Sequence, residues 1–311
     1  MRPPQAVECE ALVVPPGPYR LPRAGRDGVL RRIDGVLTRA VHHDGSCAIV
    51  RAWATRGGVR IRARAPSRSA ALYALERMRF ALAVDHDVRP FQRRFRRDPL
   101  VGPAIRTRPW IRPHRLAEPF EALAWAITEQ LIETERAWAI QRRLVWRFGR
   151  RSPCGSLLDS PAPSRLAGCA QPELQACDLS AGRSRALVRA SREVAAGRVD
   201  FADHDGAWRR LERIAGIGPW TLEKLALHGQ GRDDLIPAGD LAYLKLVGAV
   251  ARLGRRATVD EVRSFFAPYE PYAALAGVYA LAGGFAAGHE RRPTPWRARY
   301  AERLATAAAG S

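Results

Sequence analysis

The chain has 311 residues, of which 51 are basic and 31 are acidic, so its formal net charge is +20 at pH 7. A composition of 47% hydrophobic and 26% charged residues excludes a disordered chain, and no apolar run approaches the roughly 18 residues of a transmembrane helix. The five cysteines form no Cys-x-x-Cys pair, which argues against a disulfide framework, a structural zinc site and an iron–sulfur cluster.

The N-terminal part of the chain is predicted to be a small sheet followed by a helix. Residues 36–41 and 47–54 are β-prone runs separated by Asp44-Gly45, a dipeptide typical of hairpin turns. In residues 59–65 arginine alternates with apolar or small residues, which is the period of a half-buried strand. Residues 69–84 change to the spacing of an amphipathic helix. The fold class predicted for this part is therefore an α+β domain with a small antiparallel sheet.

Residues 85–118 are rich in proline and arginine and are predicted to be the linker between two domains. Arginines flank Phe91, Phe95 and Trp110 in this segment. Two interpretations are open: a solvated basic loop, or a stripe whose guanidinium groups contact phosphates. The N-terminal α+β domain, with this Arg-rich linker, is assigned to residues 1–112.

The rest of the chain is predicted to be all-α. Apolar residues recur at helical spacing in a series of segments, which are 120–132, 134–148, 161–170, 172–176, 180–196, 208–214, 219–228, 241–253, 259–266 and 272–282. The all-α domain is assigned to residues 113–285. Residues 286–311 are expected to form a basic C-terminal tail.

The most informative segment is the glycine turn Gly216-Ile217-Gly218 between two of the predicted helices. Pro219 follows, and proline is tolerated at the first position of a helix because its missing N–H group would have no partner there. A turn with little side-chain bulk leaves backbone N–H groups open at a helix N-terminus, where they can bind phosphate. An ordinary corner between two helices is the other interpretation. The net charge of +20 favours phosphate binding.

This segment resembles the helix-hairpin-helix of base-excision DNA glycosylases. Downstream, residues 236–240 (Ile-Pro-Ala-Gly-Asp) resemble the Gly/Pro-rich loop and essential aspartate of that superfamily. Upstream, residues 119–131 resemble its first helix and its DNA-wedge loop. With the α+β domain in front, the arrangement resembles bacterial DNA-3-methyladenine glycosylase II. The resemblance implies an all-α helix-hairpin-helix glycosylase domain that binds duplex DNA.

The resemblance implies that Asp240 is the catalytic residue, with an N-cap of the helix beginning at Leu241 as the alternative or as a second role. A carboxylate there would stabilise the positive charge that builds on the deoxyribose as the N-glycosidic bond breaks, and it could orient the attacking water. Trp220 stands where bifunctional relatives carry the lysine that forms a Schiff base. The resemblance therefore implies a monofunctional glycosylase without lyase activity.

The resemblance also implies which residues contact DNA. Leu131 would be an apolar wedge in the base stack, because extruding a base costs stacking energy, and a core leucine is the alternative. Gln130 would contact the orphaned base or the backbone beside it. The hairpin contacts would come from Gly216, Ile217, Gly218, Trp220 and Thr221. Glu129 and Glu133 depart from the family pattern, and two carboxylates near DNA are unfavourable unless they face away.

The pocket for the flipped base also departs from the family pattern. Lys224 and Val278 fall where glycosylase II carries stacking aromatic residues. Four other aromatic residues are candidates for the pocket, each with a core role as the alternative: Trp125, Tyr243, Tyr272 and Tyr279. Lys224 is one of 2 lysines in the chain. It could be a solvated surface residue, a pocket residue that disfavours cationic bases or contacts a neutral lesion, or a displaced Schiff-base lysine.

The function predicted from the sequence is excision of damaged bases, chiefly N3- and N7-alkylated purines, from duplex DNA in base-excision repair. The alternatives are a non-catalytic helix-hairpin-helix DNA-binding protein and a glycosylase for deaminated or other neutral lesions. We expect a monomer in the cytoplasm, associated with the nucleoid, with no secretory signal, no membrane partner and no cofactor. No metal site is expected either, because His42, His43 and Asp44 have no partners at ligand spacing.

Overall fold

The structure is a computed structural model, and it describes residues 6–283 of the chain. Within this part the chain forms two compact units. The first comprises residues 6–16, 20–86 and 114–230, and the second comprises residues 17–19, 87–113 and 231–283. This division differs from the predicted boundary at residue 112, because the N-terminal sheet shares a unit with the hairpin helices. The predicted tail, residues 286–311, lies outside the described residues.

Five antiparallel strands of the first unit form one sheet in the order β1-β5-β4-β3-β2. The strands are β1 (Val7–Val13), β2 (Arg31–Ile33), β3 (Val36–His43), β4 (Ser46–Thr55) and β5 (Gly58–Ala65). The predicted small antiparallel sheet is confirmed, and the three predicted strands lie within β3, β4 and β5. Alternation made β5 visible, since successive side chains of a strand point to opposite faces and only one face of β5 is fully buried. The β-prone composition and the Asp44-Gly45 turn revealed β3 and β4.

Thirteen α-helices occur between residues 6 and 283. They are α1 (Arg68–Leu82), α2 (Arg89–Phe95), α3 (Gly102–Thr107), α4 (Pro119–Glu129), α5 (Thr134–Phe148), α6 (Pro163–Ala167), α7 (Gln171–Gln175), α8 (Ala181–Ala195), α9 (His204–Leu211), α10 (Pro219–Leu225), α11 (Leu241–Val250), α12 (Val259–Phe266) and α13 (Ala273–Ala282). A π-helical turn, Ala226–Gln230, continues α10. No helix in this part of the chain combines the length and the hydropathy that a membrane crossing requires.

The part predicted to be all-α also contains a short two-stranded sheet, so that prediction is corrected. Its strands are β6 (Gly149–Arg151) and β7 (Leu158–Pro161). A Cβ atom at Gly149 would lie only 2.3 Å from the carbonyl oxygen of Val145 and 2.6 Å from that of Asp159. The turn from α5 into β6 therefore requires glycine, and the close backbone approach is a long-range feature that helical spacing does not reveal.

The segment predicted to be a basic linker contains α2 and α3 of the second unit, so the expectation of a loop was wrong there. Each of these helices has a proline in its first turn, where proline is tolerated. Phe91 of α2 is fully buried, and its ring centroid lies 5.2 Å from those of Phe95 and Tyr279. The arginines at 93 and 94 are exposed. The arginines of α2 thus lie on the exposed face of the helix, while the buried side chain of Phe91 packs the other face against its neighbours.

A buried charge network connects the sheet of the first unit to its helices. The guanidinium group of Arg39 on β3 lies 3.1 Å from Glu121 of α4 and 3.1 Å from Asp159 of β7. Asp159 also accepts hydrogen bonds from Arg150 (2.7 Å) and bonds to His42 (3.0 Å). Burial raises the pKa of Glu121 to about 7. These groups are costly to bury singly, so the network holds α4 in one position relative to the sheet.

Candidate functional site

The helix-hairpin-helix of the first unit has the geometry that its sequence predicts. After α9 the chain turns at Gly216, whose φ of +92° favours glycine. Ile217 is buried between the helices, and its N–H group donates to the carbonyl oxygen of Ile214 (2.9 Å). Gly218 is the N-cap of α10, so no side chain caps this helix. A glycine cap with open space around it leaves the turn accessible to an anion.

Leu131 lies in the loop between α4 and α5 and is fully exposed. Its φ of +55° is in the left-handed region, which a leucine seldom adopts. The core role that the sequence left open for Leu131 is therefore excluded. An apolar side chain held out into solvent by a strained backbone favours insertion into an apolar partner.

Gln130 connects this loop to the hairpin. Its side-chain amide donates hydrogen bonds to the carbonyl oxygen of Gly216 (2.7 Å) and to the hydroxyl group of Thr221 (2.8 Å). From the other side, Arg183 of α8 donates to the carbonyl oxygen of Thr128 (2.8 Å). The expected contact of Gln130 with DNA stays a prediction. In the structure, its amide nitrogen instead holds the loop against the hairpin.

Lys224 and Glu129 form an ion pair that sequence reasoning missed. The Lys224 Nζ atom lies 3.0 Å from a carboxylate oxygen of Glu129, and the two side chains are 17% and 24% exposed. Gln141 donates a further hydrogen bond to Glu129 (3.2 Å). A solvated surface lysine, one interpretation of the sequence, does not fit this burial. The pair also explains how a carboxylate is tolerated in this loop, since Glu129 faces a cation.

Two residues near Lys224 have unusual environments: the indole N–H group of Trp220 is buried without a hydrogen-bond partner in the described part of the chain, and His228 has a lowered pKa. The Lys224 Nζ atom lies 5.6 Å from the centroid of the Trp220 ring, within cation–π range. His228 bonds through Nδ1 to the carbonyl oxygen of His114 (2.7 Å), and desolvation together with the charge of Lys224 holds the pKa of His228 well below its usual value. This cluster can offer hydrogen-bond donors without a further positive charge.

Asp240 belongs to the second unit and caps α11. One carboxylate oxygen accepts a hydrogen bond from the N–H group of Ala242 (2.9 Å), so the N-cap role is confirmed. The backbone N–H group of Asp240 donates to Pro237 (2.9 Å), which closes the Pro-Ala-Gly turn. The cap holds the carboxylate in one orientation while the residue stays partly exposed. A catalytic role for Asp240 is compatible with this cap and stays a prediction.

Three of the aromatic pocket candidates are buried. Trp125 of the first unit is 3% exposed, and its indole N–H group donates to Asp27 (2.9 Å). In the second unit Tyr243 and Tyr279 are buried, and Gln92 donates to the Tyr279 hydroxyl group (2.8 Å). Burial raises the pKa of both tyrosines. These environments favour the core role that the sequence left open.

Two further pocket candidates, Tyr272 and Val278, are only half-buried. For all five residues a pocket role stays a prediction. Across residues 6–283, no group of three or more His, Cys, Asp or Glu side chains could hold a metal ion.

Curated proteins with similar sequences are named as DNA-3-methyladenine glycosylases or as a DNA repair enzyme, although no protein-family model matches the chain. DNA-3-methyladenine glycosylase of Bacillus subtilis is 23% identical over 206 residues, which are 63% of this chain and 67% of the relative. DNA-3-methyladenine glycosylase 2 of Escherichia coli is 27% identical over 154 residues, 48% of this chain and 55% of the relative. A probable bifunctional transcriptional activator/DNA repair enzyme AlkA of Mycobacterium tuberculosis is 30% identical over 213 residues, 64% of this chain and 41% of the relative. The chain thus spans between about two fifths and two thirds of the length of these relatives.

Solved structures of DNA glycosylases have a fold similar to that of this chain. A 3-methyladenine DNA-glycosylase from Archaeoglobus fulgidus superimposes with a TM-score of 0.71 at 18% identity, over 89% of this chain and 98% of the other. The Schizosaccharomyces pombe 3-methyladenine DNA glycosylase Mag1, solved in complex with abasic DNA, has a TM-score of 0.50 at 26% identity, over 58% of this chain and 88% of the other.

Proposed function

We propose that the chain is a member of the helix-hairpin-helix superfamily of DNA glycosylases, similar to DNA-3-methyladenine glycosylase II, and that it excises damaged bases from duplex DNA. The reaction is hydrolysis of the N-glycosidic bond, which leaves an abasic site for base-excision repair. The protein acts as a monomer, and the hairpin turn at Gly216 and Gly218 binds phosphates of the duplex.

The observation that carries this proposal is the exposure of Leu131. Extruding a base from the stack costs a few kcal/mol, and an apolar side chain that takes the vacated space offsets part of that cost. Leu131 has the full exposure and the fixed backbone that this role requires. Because Gln130 bonds to the hairpin, binding of the hairpin to phosphates also sets where Leu131 enters the duplex.

Asp240 supplies the chemistry in this proposal. As the bond to the base breaks, positive charge builds on the deoxyribose, and the Asp240 carboxylate stabilises it and orients the attacking water. The hydrogen bond from Ala242 keeps the carboxylate oriented before the substrate arrives. Trp220 cannot form a Schiff base, and the Lys224 ammonium group is paired with Glu129, so in this proposal water is the nucleophile and no strand cleavage follows.

The substrates proposed first are N3- and N7-alkylated purines, which carry positive charge and leave easily. One observation favours a second class, the deaminated or otherwise neutral bases. The Lys224 ammonium group lies 5.6 Å from the Trp220 ring, and a cation beside the base would disfavour a cationic lesion while donating a hydrogen bond to a neutral one. Glu129 offsets part of that charge, so the pair is compatible with both classes.

Base release tests the proposal directly. The wild type and Asp240→Asn are incubated with duplexes that carry either methylated purines or hypoxanthine, and released bases and abasic sites are quantified. Asparagine also caps helices well, so the variant should keep α11 intact. We expect release by the wild type and a loss of at least about a hundred-fold in Asp240→Asn. No release from any lesion would instead favour the non-catalytic DNA-binding alternative, and equal release by both proteins would overturn the role of Asp240.

A further inference from the structure

The outward face of the N-terminal sheet carries a row of arginines around one tryptophan. Along β4 and β5 the side chains alternate, and the buried ones are alanine, valine and isoleucine. In the antiparallel register Arg51 of β4 lies directly opposite Arg62 of β5, and Trp53 lies opposite Arg60. Like charges directly opposite each other destabilise a sheet. Such a pair is more readily explained as a binding feature than as a stabilising one.

A cavity of about 520 Å³ opens at this face. Its lining includes the Trp53 ring and three arginines, Arg32, Arg51 and Arg62, with one carboxylate, that of Asp34. The volume lies within the usual range for sites that take a small ligand. The cavity belongs entirely to the first unit and shares no residue with the hairpin turn, Leu131 or Asp240.

The charges at the cavity are only partly balanced. Arg62 forms ion pairs with Glu10 (2.6 Å) and Glu8 (3.3 Å) on β1. Arg32 donates to the carbonyl oxygens of Gly35 (2.7 Å) and Pro22 (3.0 Å), which orients its guanidinium group without neutralising it.

Arg51 is the unbalanced group at the centre of this arrangement. Its side chain is exposed and forms no hydrogen bond or ion pair within the part of the chain that the structure describes. The cavity therefore has two positive charges that no carboxylate among the described residues balances: Arg32, which two carbonyl groups orient, and Arg51, which lines the cavity together with Trp53.

We propose that this cavity binds a nucleotide of single-stranded DNA, with the base stacked on Trp53 and the adjoining phosphates on Arg51 and Arg32. The Arg62 guanidinium group lies 5.6 Å from the Trp53 ring centroid, so the ring already interacts with one cation on this face. Aromatic platforms combined with arginines are the usual means by which proteins hold unpaired strands. Duplex DNA fits less well, because the faces of its bases are covered by their stacked neighbours and cannot stack on Trp53. The sheet face is thus a second DNA site, separate from the proposed glycosylase site.

The test compares two DNA probes on the full chain by fluorescence anisotropy. The first is a labelled oligothymidylate of about twelve nucleotides, and the second is an undamaged duplex of similar length. We expect Trp53→Leu to weaken oligothymidylate binding about ten-fold, since stacking on one aromatic side chain contributes roughly 1–3 kcal/mol. Arg51→Gln should weaken it too and reduce the slope of log K against log salt by about 0.7, the value for one phosphate contact.

Two controls make the assignment specific. Arg64→Gln removes an exposed arginine on the same face of β5 that does not line the cavity, and it should leave oligothymidylate binding unchanged. Gly218→Glu places a carboxylate at the hairpin turn, where a side chain meets open space, and it should weaken binding of the duplex but not of the single strand.

Three results would overturn the proposal. One is equal oligothymidylate affinity of the wild type, Trp53→Leu and Arg51→Gln, with circular dichroism showing all three folded. Another is an equal loss in Arg64→Gln. The third is competition by polyglutamate at the same concentration of charges, which would show that the face is a general anion surface. Failure of the proposed glycosylase activity would leave this test unaffected, since no measurement in it involves base release.

Discussion

The side-chain amide of Gln130 donates a hydrogen bond to the hydroxyl group of Thr221 at 2.8 Å, across the gap between the α4–α5 loop and α10. The same amide nitrogen reaches the carbonyl oxygen of Gly216 at 2.7 Å. One side chain thus connects the loop that carries Leu131 to the start of the hairpin turn and to the first turn of α10. The loop with the exposed leucine is therefore connected to the hairpin through the side chain of Gln130.

The first prediction concerns this connection. Gln130→Ala should lower kcat/KM on a lesion duplex about ten-fold, because two hydrogen bonds that contribute roughly 0.5–1.5 kcal/mol each are lost and the loop no longer follows the hairpin. Affinity for undamaged duplex should change little, since no phosphate contact is removed. Thr221→Val should have a smaller effect, and the double variant should lose less than the sum of the single losses. Fully additive losses would show that the two side chains act independently.

The second prediction concerns Leu131. Leu131→Ala should leave the free energy of unfolding nearly unchanged, because the side chain is fully exposed, yet lower base excision about ten-fold or more. Leu131→Gly should also lower excision, but it relieves a left-handed backbone that costs a leucine roughly 1 kcal/mol and so should not destabilise the protein. Thermal unfolding and single-turnover excision measure the two quantities. A loss of stability in parallel with activity would contradict a wedge role.

The third prediction concerns the ion pair of Lys224 and Glu129, and it rests on the proposed glycosylase function. Lys224→Met removes the cation beside Trp220 and should raise excision of N7-methylguanine relative to hypoxanthine. Glu129→Gln leaves the cation unbalanced and should shift the ratio in the opposite direction. The ratio of kcat/KM values on the two duplexes is the measurement, because it cancels any general loss of folded protein. Shifts in the same direction for both variants would exclude an electrostatic role.

The fourth prediction concerns the pH dependence of stability. Desolvation lowers the pKa of His42, but its hydrogen bond to Asp159, the charge of Asp159 and the interaction with Cys47 together outweigh this and raise the pKa to about 9 from the ordinary 6.5. The protonated ring stabilises the fold fully below pH 6.5, and this contribution is lost as the pH rises through 9. The free energy of unfolding, measured by chemical denaturation, should therefore fall over that window, and His42→Asn should remove that part of the decline. An unchanged pH profile in His42→Asn would contradict the assignment.

The fifth prediction concerns the buried network around Arg39. Arg39→Met should destabilise the first unit by about 3 kcal/mol or more, because it leaves the carboxylates of Glu121 and Asp159 buried without their common cation. Arg60→Met removes an arginine of the outward sheet face and serves as the control, since an exposed ion pair contributes only about 1 kcal/mol or less. Similar losses in the two variants would show that burial of the network contributes nothing.

Local patterns by themselves determined the elements whose periodicity or turn chemistry is unambiguous. The alternation in residues 59–65 predicted β5, the apolar spacing in residues 259–266 predicted α12, and the turn from Gly216 to Pro219 predicted the hairpin. Each of these depends on φ/ψ preferences and on which face is apolar, and both are properties of a few neighbouring residues. Asp240 is visible for the same reason, as a capping residue directly before a helix.

Only the tertiary structure decided which partner each polar side chain has. Glu129 and Lys224 are 95 residues apart in the sequence, Gln130 and Thr221 are 91 apart, and Arg39 and Asp159 are 120 apart. Such pairs depend on how α4, α10 and the sheet pack against one another. In the sequence alone, each of these polar residues would be expected at the protein surface. Leu131 shows the converse, because the sequence left a core role open for this leucine and only the backbone conformation, which turns the side chain outward, excluded it. Burial and partner choice arise from the packing of distant segments, and no local pattern encodes them.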